Sequence, residues 1–382
     1  MKRVSGMRNR KGLPAGLICA LLAVGLVGGC GPRSDGLGNG DGDGGVEVDS
    51  SPGSDGQVIY WDGSPGDGMV GCYPQSFTLQ QAPPPAVMLV IDRSGSMVEQ
   101  GSTGQTKWAE LNLAAGTVLT QFESQIQFGL LMYPSGDMCT TPPAQVPPGV
   151  LHLAPITYEL GATMPGGGTP TAAALRNAGQ TLADMNPGDL KFIILATDGG
   201  PNCNYMQSLP CTCSLSDSSY CCTSHPDACV AGQFCLDDSG TLDVLNDLSQ
   251  NQQVDTFVIG LDGTQAYVEL LNDMAVAGGR PQVGGVTDYY NATSQSELTA
   301  ALQAIAGSVL SCTIPLDEAP TLPDAVHIYV DGAEVPRDPT QTDGWDYTDA
   351  SLTEITLFGA ACDNLQNGDE HQVTATFACL ID

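Results

Sequence analysis

A chain of 382 residues is longer than one ordinary domain and suits one large domain with appendages. Hydrophobic residues make up 42% of it and charged residues 14%, so a core can form, while 43 acidic against 12 basic residues leave a net charge of −31. That balance argues against a nucleic-acid binder, which needs a basic face for phosphates, and against electrostatic docking on anionic lipid.

Five of the basic residues, Lys2, Arg3, Arg8, Arg10 and Lys11, precede an uncharged stretch over 12–29 with the apolar centre Leu17-Ile18-Cys19-Ala20-Leu21-Leu22-Ala23-Val24. A basic start, an apolar middle and small residues before a cut predict a signal peptide over 1–29. A membrane anchor is the alternative, but about eighteen residues broken by Pro14 and several glycines make a poor span. The run ends Leu26-Val27-Gly28-Gly29-Cys30, which resembles the lipobox of bacterial lipoproteins, with Val27 in place of the commoner leucine. The resemblance implies acylation of Cys30 as the first mature residue. Gly31 stands where aspartate would mark inner-membrane retention, so an outer-membrane location is expected, facing the periplasm or the cell surface. Cleavage leaves seven basic residues against 43 acidic, a net charge of −36. More than one acyl chain is what makes such an anchor stable.

Residues 30–71 read as a Gly/Asp-rich tether that cannot bury a core. Their Asp/Gly spacing lacks the twelve-residue frame and closing glutamate of a calcium loop. No later stretch is long and apolar enough to span a bilayer.

From about residue 83 the patterns alternate. Apolar runs at 86–91, 126–132, 192–196 and 254–259 predict strands buried on both faces. Trp108, Leu111, Ala115, Val118 and Phe122 form one helical stripe and Leu175, Ala178 and Leu182 another. Ser294 and Glu297 make a capping box ahead of Leu298, Leu302 and Ile305, with Gly307 as a terminator. Such alternation implies an α/β fold: a doubly wound, mostly parallel sheet with helices on both faces and ligands at the carboxyl ends of its strands.

The first strand runs directly into Asp92-Arg93-Ser94-Gly95-Ser96-Met97. The loop Gly166-Gly167-Gly168-Thr169-Pro170-Thr171 leads into a helix, and Thr197-Asp198-Gly199 follows the third strand. Singly, each has a plain structural reading as a turn or a helix cap. In this order and on these elements they resemble the metal-ion-dependent adhesion site of von Willebrand factor type A domains, over roughly residues 83–310. The resemblance implies that Asp92, Ser94, Ser96, Thr169 and Asp198 hold Mg²⁺, or Mn²⁺ or Ca²⁺, partly through water. Neutral hydroxyl ligands keep such an ion electrophilic, ready for a carboxylate from a partner protein. The chain is thus expected to be a lipid-anchored envelope protein that binds a protein partner. An envelope scaffold that keeps the fold without using the metal is the alternative. A hydrolase using Ser94 is a third reading, with no G-x-S-x-G and no histidine placed beside it by motif. His152, His225, His327 and His371 are scattered; neither H-E-x-x-H nor a phosphate-binding G-x-x-x-x-G-K-[ST] occurs, so no nucleotide is expected.

Apart from Cys19 and Cys30, twelve cysteines remain, and exported cysteines usually pair. Seven crowd into an insert over 201–236: Cys203, Cys211, Cys213, Cys221, Cys222, Cys229 and Cys235. Their spacing lacks the Cys-x₂-Cys pairs of zinc ribbons, which favours disulfides. The odd count requires a partner outside the insert if all seven pair, and Cys139 is the candidate. Cys72 and Cys312 bracket the body, giving a domain over 72–312, and Cys362 with Cys379 would close a loop in the last segment. The insert is expected beside the site, as a stapled cap or as a selector of the partner. Residues 313–382 lose the helical period: a strand over 326–330, a tight Asp331-Gly332 turn and alternation over 372–377 predict a small β-rich module.

Overall fold

The computed structural model describes residues 75–136, 139–204, 212, 214 and 235–377. The expected signal peptide, Cys30, the tether, Cys72, Cys379 and Cys211, Cys213, Cys221, Cys222 and Cys229 of the insert lie outside the described residues.

In chain order the elements are β1 (Gln75–Thr78), β2 (Ala86–Asp92), α1 (Lys107–Phe122), β3 (Gln127–Tyr133), β4 (Val146–Gly149), α2 (Leu153–Ala162), α3 (Thr171–Ala183) and β5 (Lys191–Thr197). There follow α4 (Asp238–Gln252), β6 (Val254–Leu261), α5 (Val268–Ala277), β7 (Tyr290–Ala292) and α6 (Gln295–Val309). The last part holds β8 (Thr313–Pro315), β9 (Val326–Val330), β10 (Ala333–Val335), β11 (Gly344–Tyr347), β12 (Glu354–Phe358), α7 (Ala360–Leu365) and β13 (Val373–Phe377).

Six strands make the main sheet in the order β4-β3-β2-β5-β6-β7. All neighbours are parallel except the β3–β4 pair at one edge. The apolar runs become strands because both faces are covered, and the period of two sorts their side chains. Val87, Leu89 and Ile91 of β2 face one core with α1, α2 and α6. Ala86, Met88 and Val90 face the other with α3, α4 and α5. The stripe of α1 is buried in the first core, and its Thr106 side chain accepts a hydrogen bond from the Ala109 N–H at 3.2 Å.

Helix α6 begins as its capping box predicts, with Ser294 Oγ accepting from the Glu297 N–H at 3.3 Å. It does not stop at Gly307 but runs to Val309. A helical glycine costs about 1 kcal/mol, and burial of Ala306 and Val309 in the first core offsets that. The stripes of α4 (Val244, Leu245, Leu248) and α5 (Leu270, Leu271, Met274) are regular enough to have been read from the sequence as well.

The C-terminal module has two sheets, β1-β13-β9-β10 and β11-β12-β8, which share a core of Ile314, Ile328, Trp345, Ile355, Leu357 and Val373. The expected Asp331-Gly332 turn joins β9 to β10 with both residues at positive φ. Residues 75–78, expected within the 72–312 domain, pair with β13 from the far end of the chain. The module also touches the body: Gln121 Nε2 and Gln125 Nε2 donate to the carbonyls of Asn367 and Asp369 at 2.5 and 2.8 Å.

Cysteine pairing in the module differs from expectation. Cys312 bonds Cys362, so neither takes the partner foreseen for it, Cys72 or Cys379. The reason is strand register. Thr313 lies opposite Thr356, the Leu357 N–H donates to the Cys312 carbonyl at 3.0 Å, and α7 starts just after β12. That sequence of contacts brings the two Cα atoms within 5.4 Å. Among the described residues no helix is long and apolar enough to cross a membrane.

Candidate functional site

Strands β2 and β5 lie side by side and parallel, with Ile91 opposite Ala196, so Asp92 and Asp198 emerge at one edge of the sheet. The chain leaves β2 through α1 to β3 on one flank, and then crosses to β5 on the other. This reversal opens a crevice at the carboxyl ends of the strands, where open α/β sheets bind ligands.

Four of the five expected site residues form one hydrogen-bonded chain. Asp92 is fully buried; its Oδ1 accepts from the Ser94 N–H at 2.8 Å and its Oδ2 from Thr197 Oγ1 at 2.7 Å. Ser94 Oγ meets Ser96 Oγ at 3.1 Å, and Ser96 Oγ donates to Asp198 Oδ1 at 2.8 Å. A short 3₁₀ turn over Gly95–Val98, with Ser94 at its start and the buried Met97 within it, keeps the two serine hydroxyls within hydrogen-bond reach. The fifth residue, Thr169, comes from a loop laid against this turn. The Gly95 N–H donates to the Gly167 carbonyl at 3.1 Å and the Gly166 N–H to the Arg93 carbonyl at 2.7 Å.

Asn202 holds Thr169 in place and was not foreseen from sequence. Its Oδ1 accepts from the Thr169 N–H at 2.7 Å, and its own N–H donates to the Thr169 carbonyl at 2.8 Å. A reciprocal clasp of this kind leaves no local sequence signal beyond its place four residues after Asp198. The Cys139–Cys203 disulfide lies against the same loop, joining the segment after β3 to the start of the insert. A Cβ on Gly168 would come 2.3 Å from Cys203 Sγ, so only glycine fits. Cys235 is also disulfide-bonded and buried. Within the insert, Asn202 Nδ2 donates to Ser214 Oγ at 3.2 Å and the Leu236 N–H to the Thr212 carbonyl at 2.7 Å, and Tyr267 of the body donates its hydroxyl to the Ser214 carbonyl.

The buried carboxylates strain the electrostatics. Burial, and then the charge of Asp198, push the Asp92 carboxyl up to about 7, against the hydrogen bonds from Thr197 and Ser94. Burial raises Asp198 too, opposed by Lys107. Lys107 Nζ sits 3.0 Å from Asp198 Oδ2 and 2.8 Å from Glu99 Oε2. Burial would lower the pKa of this ammonium, but its two carboxylates outweigh that and hold it above the ordinary lysine value. Below the site, Tyr133 is buried near Asp92 and is pushed well above the ordinary phenol range.

Among the described residues, which exclude His225, no histidine is hydrogen-bonded to Ser94. Ser94 Oγ bonds Ser96, while His152 Nδ1 is engaged by the Phe128 carbonyl at 2.9 Å, and His327 and His371 by Glu334 and Asp331. Among the described residues no group of three or more His, Cys, Asp or Glu side chains is placed to hold a metal. At this edge two carboxylates are supplemented by hydroxyls.

Residues 87–201 match the family model of the von Willebrand factor type A domain. The chain carries a von Willebrand type A domain. The match spans β2 through β5 and contains all five expected site residues. No curated protein matches the chain in sequence. Among solved structures it is similar to the pilus adhesin SpaC from Lactobacillus rhamnosus GG, with 14% identity and a TM-score of 0.45. That alignment covers 78% of this chain but 39% of SpaC, so the chain spans about two fifths of that adhesin's length. The von Willebrand domain of the type V pili tip protein Mfa5 from Porphyromonas gingivalis aligns at 14% identity and a TM-score of 0.42, over 61% of this chain and 96% of that one. The PilB minor pilin from Streptococcus sanguinis aligns at 19% identity and a TM-score of 0.42, over 61% and 62%.

Proposed function

We propose that this chain is a lipid-anchored envelope protein whose type A domain binds a partner protein through a divalent cation at the end of β2 and β5. The observation that carries the reading is the hydrogen-bonded series Asp92, Ser94, Ser96, Asp198 at a strand-end crevice, with the Thr169 loop clasped beside it. Two carboxylates and three hydroxyls make an oxygen-only set of the kind Mg²⁺ takes, and such ions keep open positions for water or another ligand. Asp92 and Asp198 would supply the negative charge and Ser94, Ser96 and Thr169 neutral oxygens. The bound ion would supply an electrophilic centre for a carboxylate of the partner. The protein's residues orient that centre and withhold further charge from it. Disulfides among the described residues suit an oxidising compartment, in keeping with export through the N-terminal segment and an extracytoplasmic, surface-associated location.

One observation favours a scaffold that works without metal: Lys107 already places a positive charge on Asp198. Thermal unfolding of residues 31–382, disulfides intact, in EDTA and then with Mg²⁺, Mn²⁺ or Ca²⁺ separates the two. An ion that binds only the folded state raises the midpoint in proportion to RT ln(1 + [L]/Kd). A rise lost in Ser96→Ala and Asp198→Ala supports the metal reading. No rise at any concentration up to saturating salt controls refutes it and leaves the scaffold.

A further inference from the structure

Lys107 occupies the first position of α1, where the helix dipole disfavours a cation. It is nevertheless buried, with its side chain 6% exposed and its ammonium directed at the wholly buried Asp198 carboxylate. The loop after β6 closes over the pair. Gly263 stands there at φ +111°, and a Cβ on it would lie 2.8 Å from the Asp198 carbonyl oxygen and 3.0 Å from Lys107 Nζ. The fold thus reserves a compartment for this ammonium. Asp198 divides its two oxygens between the compartment and the crevice: Oδ2 faces Lys107 and Oδ1 takes the Ser96 hydroxyl.

We infer that Lys107 is a built-in counter-cation that shares Asp198 with the divalent ion, keeping that ion's binding weak and making it favour an anionic partner. The inference rests on the proposed metal reading. With both carboxylates ionised, as a bound cation favours, Asp92 and Asp198 contribute two negative charges to the groups bonded to the candidate oxygens and Lys107 one positive. Glu99 lies on the solvent side, 64% exposed, where water and salt screen it. A divalent ion therefore brings this buried set from −1 to +1, and one carboxylate from a partner brings it to neutrality. Without Lys107 the loaded set is already neutral and has no electrostatic demand for an anion. The ammonium also draws electron density from Asp198, which weakens it as a ligand, while neutralising its charge when no ion is bound.

The test is calorimetric titration of Mg²⁺ into residues 31–382, disulfides intact and stripped with EDTA, comparing wild type with Lys107→Met, Lys107→Gln and Lys107→Arg. Lys107→Gln keeps a donor for Asp198 and guards against failure of the Met variant to fold. The expected result is Mg²⁺ binding about tenfold tighter or more in the Met or Gln variant, with Lys107→Arg close to wild type. Added acetate at constant ionic strength tightens Mg²⁺ binding in wild type and not in the neutral variants. Equal or weaker Mg²⁺ binding in the neutral variants overturns the role of Lys107 and leaves the metal reading standing. An acetate effect of the same size in all variants overturns the anion preference. Absence of Mg²⁺ binding in every form overturns the metal reading and this inference together.

Discussion

The ammonium of Lys107 and the inner oxygen of Asp198 face each other at 3.0 Å, joining the start of α1 to the end of β5 across 91 residues of sequence. Two charges withdrawn from water are costly, and their mutual attraction repays that only while both partners remain.

Removing Lys107 alone is therefore expected to destabilise the metal-free protein by about 3 kcal/mol, the range for an orphaned buried charge, and removing Asp198 alone by less, because Lys107 keeps Glu99. The double variant Lys107→Met/Asp198→Asn should cost less than the two singles added together. Urea unfolding of all four forms in EDTA gives the coupling directly, expected at about 1 kcal/mol or more. Strict additivity would mean that the pair is solvated and does not interact in solution.

Gly168→Ala tests the clasp around Thr169. The new methyl group would meet Cys203 Sγ at 2.3 Å, and overpacking of this kind costs about 1–3 kcal/mol. Because Gly168 adjoins Thr169, the substitution should displace the threonine loop as well as lower the melting temperature. Gly116→Ala, a helical position whose added Cβ meets nothing within 4 Å, serves as control and should leave stability unchanged or slightly raised.

The Cys312–Cys362 bond closes a 50-residue separation within the C-terminal module. Replacing both cysteines by serine should lower stability by about 2–4 kcal/mol on the loop-entropy scale. Mass mapping of the oxidised wild type after proteolysis should recover the peptide pair containing Cys312 and Cys362. Recovery of Cys72 with Cys312 would contradict the observed register.

Asp349 predicts the acid response of the same module. Its carboxylate accepts from the Ser351 hydroxyl, from Thr353 Oγ1 at 3.0 Å and from the Glu354 N–H at 2.9 Å, which together hold its pKa down to about 2. A carboxyl depressed in the folded state stabilises above its unfolded pKa of about 4, and that contribution is lost as pH falls through the folded value. The melting-temperature gap between wild type and Asp349→Asn should therefore be constant above pH ~5 and close between pH ~4 and ~2. A gap independent of pH over that window would show that the carboxylate's charge plays no part.

Much of the architecture was legible in local patterns. The runs at 86–91 and 192–196 could only be strands covered on both faces, since apolar side chains point alternately to opposite sides. The stripe from Trp108 to Phe122 is apolar at the helical period and so had one face to bury. Asp92, Ser94 and Ser96 were visible for a similar reason: a short loop after a strand keeps its spacing wherever the strand goes. The edge strand β4 carried no such signal, because Pro147 and Pro148 interrupt it.

Long-range partners were another matter. Which cysteine meets Cys312 depends on how β8 pairs with β12, and no property of the cysteine itself encodes that. Strand Gln75–Thr78 pairs with β13 about three hundred residues later, and nothing in its four residues encodes that partner. Asn202 and Lys107 read as ordinary polar residues until the fold buries them beside Thr169 and Asp198. Composition and periodicity determined which segments form elements and which of their faces are apolar, because those are consequences of local geometry. The tertiary structure decided which charges and thiols become neighbours, because desolvation and close packing act on residues through space.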